Sequence, residues 1–185
     1  MLKANTIHGG DFLINIILYG DKGDNQIKSL IMSDFTKYED LYFYSGKAIK
    51  QIGDDANLLI FDTASVESIE LDECIIVFKE NAKLTNLKKL PPNTIAVVSS
   101  ANTELIERLS EYKITLISCG MLAKDTLTFS SSMDENMVVA LQREMQIPSG
   151  KIYEPLEIPV SYNANTNKYC VLAYTAIRLL TGKIK

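Results

Sequence analysis

Gly20 and Gly23 punctuate the stretch Tyr19-Gly20-Asp21-Lys22-Gly23-Asp24-Asn25. An apolar run, Ile14-Asn15-Ile16-Ile17-Leu18, leads into it, and Gln26-Ile27-Lys28-Ser29-Leu30-Ile31 reads as the start of a helix. A strand, a glycine turn and a helix start together aim backbone N–H groups at one point, which is how a phosphate-binding loop is made. That chemistry also needs a lysine against the phosphate charge and a Ser or Thr to hold magnesium. Here Asp24 and Asn25 follow the second glycine, so an anion stands where an anion would bind. Lys22 is the nearest cation, but it sits on the turn and not at the helix start. The two glycines equally suit a plain strand-to-helix turn.

Other reactive groups are sparse. The one histidine, His8, reads as an exposed terminal residue, which leaves no His-rich metal site and no ready Ser-His-Asp or Cys-His catalyst. Cys74, Cys119 and Cys170 lie far apart inside apolar runs without C-x-x-C spacing, and read as buried, reduced thiols of a cytoplasmic protein. Asp62 ends an apolar run, a position that suits a ligand, a loop residue or a helix cap. Lys79, Lys83, Lys88 and Lys89 form one basic cluster, interrupted by Glu80, and read as a solvated helix face. With a net charge of −4, a nucleic-acid footprint on a basic face is not expected. The N-terminus has no long apolar h-region and no apolar run reaches membrane-spanning length.

The elements that must position these groups follow from periodicity. At 185 residues and 46% hydrophobic content, one compact domain over 1–185 is the expectation. Residues 12–19, 41–44, 58–61, 73–78, 94–99 and 114–118 read as apolar strands. Residues 24–36 carry Ile27, Leu30, Ile31 and Phe35 at helical spacing. Leu84, Leu87 and Leu90 predict a short helix stopped by Pro91-Pro92. Asn102 or Thr103 caps the next helix, with Glu104 in its first turn and Leu105, Ile106 and Leu109 facing inward. After Gly120 the pattern changes to an antiparallel meander over 126–131, 138–145 and 152–160, with 138–145 readable as strand or as a helical turn or two. Polar turns fall at Asp134-Glu135-Asn136 and Pro148-Ser149-Gly150. A last helix places Tyr169, Leu172, Ala173, Ala176, Ile177 and Leu180 on one face and stops at Gly182. The fold class is therefore α/β: a mostly parallel, Rossmann-like sheet flanked by helices, with an antiparallel extension and a C-terminal helix.

This order of elements resembles the central, ATP-binding domain of the Mur ligases, which add amino acids to peptidoglycan precursors. That family opens the domain with an apolar strand and T-G-T-x-G-K-T; here both glycines are in step, with Asp24 in place of Lys and Asn25 in place of the magnesium-binding Thr. Leu59-Ile60-Phe61-Asp62-Thr63-Ala64-Ser65 looks like the family's acidic strand end, with Asp62 in the acidic place. The signature T-N-x-x-x-D-H-L would fall on residues 77–84, where Ala82 and Lys83 stand for Asp and His. Ala164-Asn165-Thr166-Asn167-Lys168-Tyr169-Cys170 is similar to G-x-H-N-x-x-N but keeps only Asn167. Apolar and small residues persist while charge-handling residues do not.

The resemblance implies a vestigial nucleotide site at Gly20, Lys22, Gly23, Asp62 and Asn167, with no catalytic residue, no metal and no cofactor. It implies a non-catalytic, Mur-ligase-like domain that acts by binding a protein partner, a regulatory ligand or itself, with no role for membrane or nucleic acid. The alternative it implies is a residual nucleotide or phosphate binder, or a small enzyme using ATP with magnesium. The family closes a further domain over its nucleotide, for which 1–185 has no room. A flavodoxin-like, doubly wound domain is the reading that needs no family; it would continue the β-α alternation past residue 120. Tyr38, Tyr42, Phe43 and Tyr44, and Tyr153, Tyr162 and Tyr169, are aromatic handles for a partner or parts of the core.

Overall fold

The computed structural model describes residues 13–133, 136–162 and 165–184. The strand ends, turns and loop expected at Phe12, at Asp134-Glu135 and at Asn163-Ala164 fall outside these residues, as do His8 and the N-terminal segment. Twelve strands form in chain order: β1 (Ile14–Tyr19), β2 (Leu41–Tyr44), β3 (Ile49–Ile52), β4 (Leu58–Thr63), β5 (Glu73–Phe78), β6 (Asn93–Ser99), β7 (Thr115–Cys119), β8 (Leu127–Met133), β9 (Asn136–Leu141), β10 (Met145–Gln146), β11 (Ile152–Tyr153) and β12 (Leu156–Ser161). The helices are α1 (Gln26–Ser33), followed by a 3-10 turn at Phe35–Lys37, α2 (Thr103–Leu109) and α3 (Lys168–Leu180).

Ten strands make one sheet in the order β12-β9-β8-β7-β6-β5-β1-β4-β2-β3. From β2 through β4, β1, β5, β6 and β7 to β8 every pairing is parallel; β3 closes one edge antiparallel, and β9 and β12 extend the other edge antiparallel. The pattern break after residue 120 is thus real, and β-α alternation does not continue. The alternatives for 138–145 resolve as strand over Val138–Leu141, which pair on both sides, with Leu127–Ser131 and with Leu156–Pro159. The segment expected as one strand over 152–160 is broken instead: β11 pairs β10 in a separate two-stranded sheet, and Glu154-Pro155 lies between β11 and β12. Pro159 is tolerated in β12 because that strand is the sheet edge.

Two apolar layers cover the sheet. On one face Ile16, Leu18, Leu58, Ile60, Ile75 and Val77 pack with Ile27 and Ile31 of α1 and with α3. On the other Ile17, Tyr19, Cys74, Ile76, Phe78, Ala96 and Val98 pack with Leu105 and Leu109 of α2. The one-face reading of α3 needs correction: every residue from Tyr169 to Ile177 is buried, as are Leu179 and Leu180. The helix touches the sheet at β6, β7 and β8, runs beside α1, and shares its core with Met137, Val139 and Val160 of the antiparallel extension. A helix buried all round has no polar face to show. It stops as expected: Gly182 has φ +71, its N–H donates to Leu179 O and the Lys183 N–H to Arg178 O, a Schellman closure.

Two more expectations fail. Residues 80–90 form no helix: Leu84 and Leu87 are buried in an extended loop whose carbonyls are held by side chains, Arg108 Nη1 donating to Leu84 O and Tyr112 Oη to Leu87 O. The basic cluster therefore has no helix face to lie on. Lys88 and Lys89 pair at the surface with Glu67 and Glu70, Lys83 is exposed, and Lys79 is buried. Strand β3, polar and exposed, was not expected; only Gly46, at φ +76 in the four-residue turn closed by Ser45 N–H to Ala48 O, advertises its hairpin.

Among the aromatic handles, Phe43 and Tyr169 are core. Tyr42 and Tyr44 face the other way, beside Leu59 and Phe61 of β4, with Tyr44 stacked on Phe61 at 4.7 Å and paired with the exposed Ile49 of β3. On this face α2 covers β5 and β6 and residues 66–71 cross β1, so no described helix lies over β4, β2 and β3. No described helix is long and apolar enough to cross a membrane.

Candidate functional site

Parallel pairing brings the ends of β1, β4 and β5 level, with Tyr19 opposite Thr63 on one side and Phe78 on the other. The chain leaves β1 at Gly20, whose N–H donates to Thr63 O, and Lys79 leaves β5 with its N–H on Tyr19 O. Strand alternation then decides which side chains meet. Asp62 continues the inward row Leu58, Ile60; Lys79 continues the row Ile75, Val77; both point to the α1–α3 layer. The Lys79 ammonium lies 2.8 Å from Asp62 Oδ1 and donates a second bond, also 2.8 Å, to Asp21 O. Their side chains are 2% and 6% exposed, so this is a desolvated ion pair beneath the β1–α1 loop.

The loop above uses its own carboxylates to satisfy its backbone. Asp21 Oδ1 accepts from the Gly23 N–H at 2.8 Å and Asp24 Oδ1 from the Gln26 N–H at 3.2 Å, local turns of the kind aspartates favour. Asp24 N–H donates to Asp21 O, and Asn25 Nδ2 to Gly23 O. These are amides at a turn and at the first turn of a helix, the groups that would otherwise face an anion.

The N-terminus of α3 completes the strand-end surface. Asn167 Oδ1 caps it by accepting from the Cys170 N–H, while Asn167 Nδ2 donates to Glu80 Oε2 at 2.7 Å. The Tyr169 hydroxyl donates to Phe78 O. Burial pushes the Cys170 thiol up to about 12, and the carboxylates of Asp24 and Glu80 push it the same way. Burial likewise raises the Cys74 and Cys119 thiols. Since the thiolate is the reactive form, all three cysteines are expected to resist alkylation in the native protein and to react together once it is denatured. Intact-mass analysis after iodoacetamide treatment checks this; a native adduct would contradict the burial.

Of the residues singled out in the sequence, Gly20 and Asp62 both meet Lys79 at this place, and Asn167 joins through Glu80. Gly23 sits on the exposed tip. Lys22 is exposed and its ammonium lies beside Gly46 in the β2–β3 turn, so the cation at Asp62 is that of Lys79. Lys79 was missed because it opens a mixed polar stretch, Lys79-Glu80-Asn81, after a strand. Its signal was strand parity: an acid and a base each two residues past an inward apolar side chain on parallel strands. Among the described residues no group of three or more His, Cys, Asp or Glu is placed to hold a metal ion.

The fold has solved counterparts, although no family model and no curated protein sequence matches the chain. It is similar to a MurF ligase from Thermotoga maritima in complex with ADP, with TM-score 0.56 and 10% identity over 94% of this chain and 47% of that one. It is similar to the UDP-N-acetylmuramoylalanyl-D-glutamyl-2,6-diaminopimelate–D-alanyl-D-alanyl ligase from Acinetobacter baumannii, with TM-score 0.55 and 13% identity over 92% and 43%. A murein peptide ligase from Psychrobacter arcticus gives TM-score 0.53 and 8% identity over 91% and 44%. The chain spans a little under half the length of these structures. At such identities the fold is what is shared, and by its fold the chain is a Mur ligase-like domain.

Proposed function

We propose that this chain is a non-catalytic Mur ligase-like domain that works by binding a protein partner or a second copy of itself, in a reducing, cytoplasmic setting. One observation carries the reading: the Gly20–Asn25 loop supplies its own anions. The N–H groups of Gly23 and Gln26 are taken by Asp21 and Asp24, and the ammonium beneath them is committed to Asp62. The residues present do not fit a magnesium-bound triphosphate. A phosphate at the loop would have to displace both carboxylates and would still lie near them. At a ~4 Å separation two like unit charges repel by about 4 kcal/mol at an effective dielectric of about 20.

Away from this loop, the face of β4, β2 and β3, over which no described helix lies, offers a surface for recognition. The half-buried Tyr42, Tyr44 and Phe61 and the exposed Ile49 present aromatic and aliphatic area there, the composition that interfaces favour.

Thermal unfolding with and without MgATP tests the closed cleft. A ligand present at about 100 times its Kd adds about 2.7 kcal/mol of stability, so binding of even modest affinity would register at about 5 mM nucleotide. No shift is expected. A rise with MgATP that Lys22→Ala or Gly23→Val abolishes would overturn the reading in favour of a nucleotide binder.

A further inference from the structure

A cavity lies at the opposite end of the sheet from this loop, where α1 and α3 both finish, and nothing in the loop bears on it. Its volume is about 340 Å³, within the range of small-molecule sites. Phe35, buried in the 3-10 turn that follows α1, and Tyr174, buried on α3, meet edge to face with ring centroids 6.3 Å apart and form its floor. Tyr38, 69% exposed, stands at its rim. Tyr162 packs edge to face on Tyr174 from behind, at 6.2 Å.

Two opposite charges line this cavity without neutralising each other. Asp34 Oδ2 accepts from the neutral Tyr174 hydroxyl at 2.8 Å, and its cationic neighbour Lys37 is 4.0 Å away on a solvent-exposed stem. Arg178 donates to Lys183 O at 3.4 Å, lies within electrostatic reach of the neutral Tyr162 hydroxyl, and enters no ion pair among the described residues. The remaining charges at the mouth, Lys183 and Glu39, satisfy each other at 2.7 Å. Burial and the Asp34 carboxylate both raise the Tyr162 hydroxyl, to about 12, so it stays a neutral group between the two charges at physiological pH.

We propose that this cavity binds a small zwitterion with an apolar ring, of the kind represented by a free aromatic amino acid. Arg178 takes the carboxylate of the ligand, Asp34 takes its ammonium, and the ring lies against Phe35 and Tyr38. A guanidinium bonded only to a neutral carbonyl, and a carboxylate whose one ion-pair partner is a solvent-exposed lysine 4.0 Å away, keep charge available for a ligand, and guanidinium is suited to carboxylate in particular. The charges that line the cavity, Asp34, Glu39, Arg178 and Lys183, sum to zero, which disfavours polyanions such as nucleotides and favours a molecule carrying one charge of each sign.

The test titrates the full chain with L-phenylalanine, 3-phenylpropionate, phenethylamine and glycine, followed by amide chemical shifts in NMR. Phenylalanine is expected to bind at least about tenfold more tightly than either singly charged analogue, and glycine not to saturate. Tyr38→Ala, at an exposed rim position, is expected to weaken phenylalanine about tenfold while moving the unfolding midpoint by less than about 2 °C. Arg178→Lys keeps a cation but loses the two-pronged contact, and is expected to narrow the preference for phenylalanine over phenethylamine. No saturable phenylalanine binding up to about 10 mM, equal affinity for the singly charged analogues, or undiminished binding in Tyr38→Ala would each overturn the assignment. None of these outcomes depends on nucleotide, so failure here and failure of the closed-cleft reading are separately visible.

Discussion

Lys79→Met is expected to lower the unfolding free energy by about 3–5 kcal/mol, and Asp62→Leu by a similar amount. Each single change strands a buried charge: the Asp62 carboxylate in the first case, the Lys79 ammonium in the second. Lys79→Met also removes one of the two donors to Asp21 O, leaving only the Asp24 N–H. The double variant Asp62→Leu/Lys79→Met should recover most of that loss, because two apolar side chains of similar volume replace a pair whose desolvation cost nearly balances its attraction. Surface pairs give the contrast. Lys88–Glu67 and Lys89–Glu70 are 65–75% exposed, and their removal should cost no more than about 1 kcal/mol. Urea unfolding of the parent chain and the three variants in one cycle provides the measurement. If Lys79→Met were as stable as the parent chain, the ammonium would not be structural, and a role in holding a ligand phosphate would return to consideration.

How much of this arrangement was legible beforehand follows the physics of each element. β1, β5 and β6 are parallel strands buried on both faces, so their sequences are continuous apolar runs that announce themselves. α2 carries a cap, an acidic first turn and inward leucines within seven residues, and Asn102 is the cap that forms. The Leu84-Leu87-Leu90 spacing misled because three apolar residues at a three-residue spacing also fit a loop pinned by side chains from elsewhere, here Asn102, Arg108 and Tyr112. β3 was hidden because an exposed edge strand has no apolar signature, and its Lys50 and Gln51 are the polar residues that discourage edge pairing. In α3 the face looking at the sheet was visible, whereas burial of its other sides depends on a distant hairpin. The same distinction governs the site. Gly20 and Asp62 stood out as strand-end residues, but their partner Lys79 is 17 residues from Asp62 and 58 from Asp21, and only parallel pairing makes the three adjacent.

Gly20→Ala and Gly23→Ala should behave very differently, although the sequence offers the two glycines as one motif. Gly20 has φ +143, a conformation that side chains rarely adopt, and strain of this type costs on the order of 1–3 kcal/mol. A Cβ there would also lie 2.8 Å from Lys79 Cβ and 3.3 Å from Ala82 Cβ. Neither atom can swing away, since each is fixed by its backbone, so the β1–α1 loop must lift off the Asp62–Lys79 pair. The combined loss should reach about 3 kcal/mol or more. Lys79→Met retains the offending Cβ, so it should not relieve Gly20→Ala. At Gly23 a Cβ meets only the Asp21 carboxylate at 3.4–3.8 Å, with no positive φ, and the change should stay within about 1 kcal/mol. A loop built to cradle phosphate would need both glycines for its ligand and neither especially for its stability. Here Gly20 is required by the lysine packed under it, and Gly23 by nothing more than its turn. Equal costs for the two substitutions would mean that the loop is not seated on Lys79 in the way that its hydrogen bonds describe.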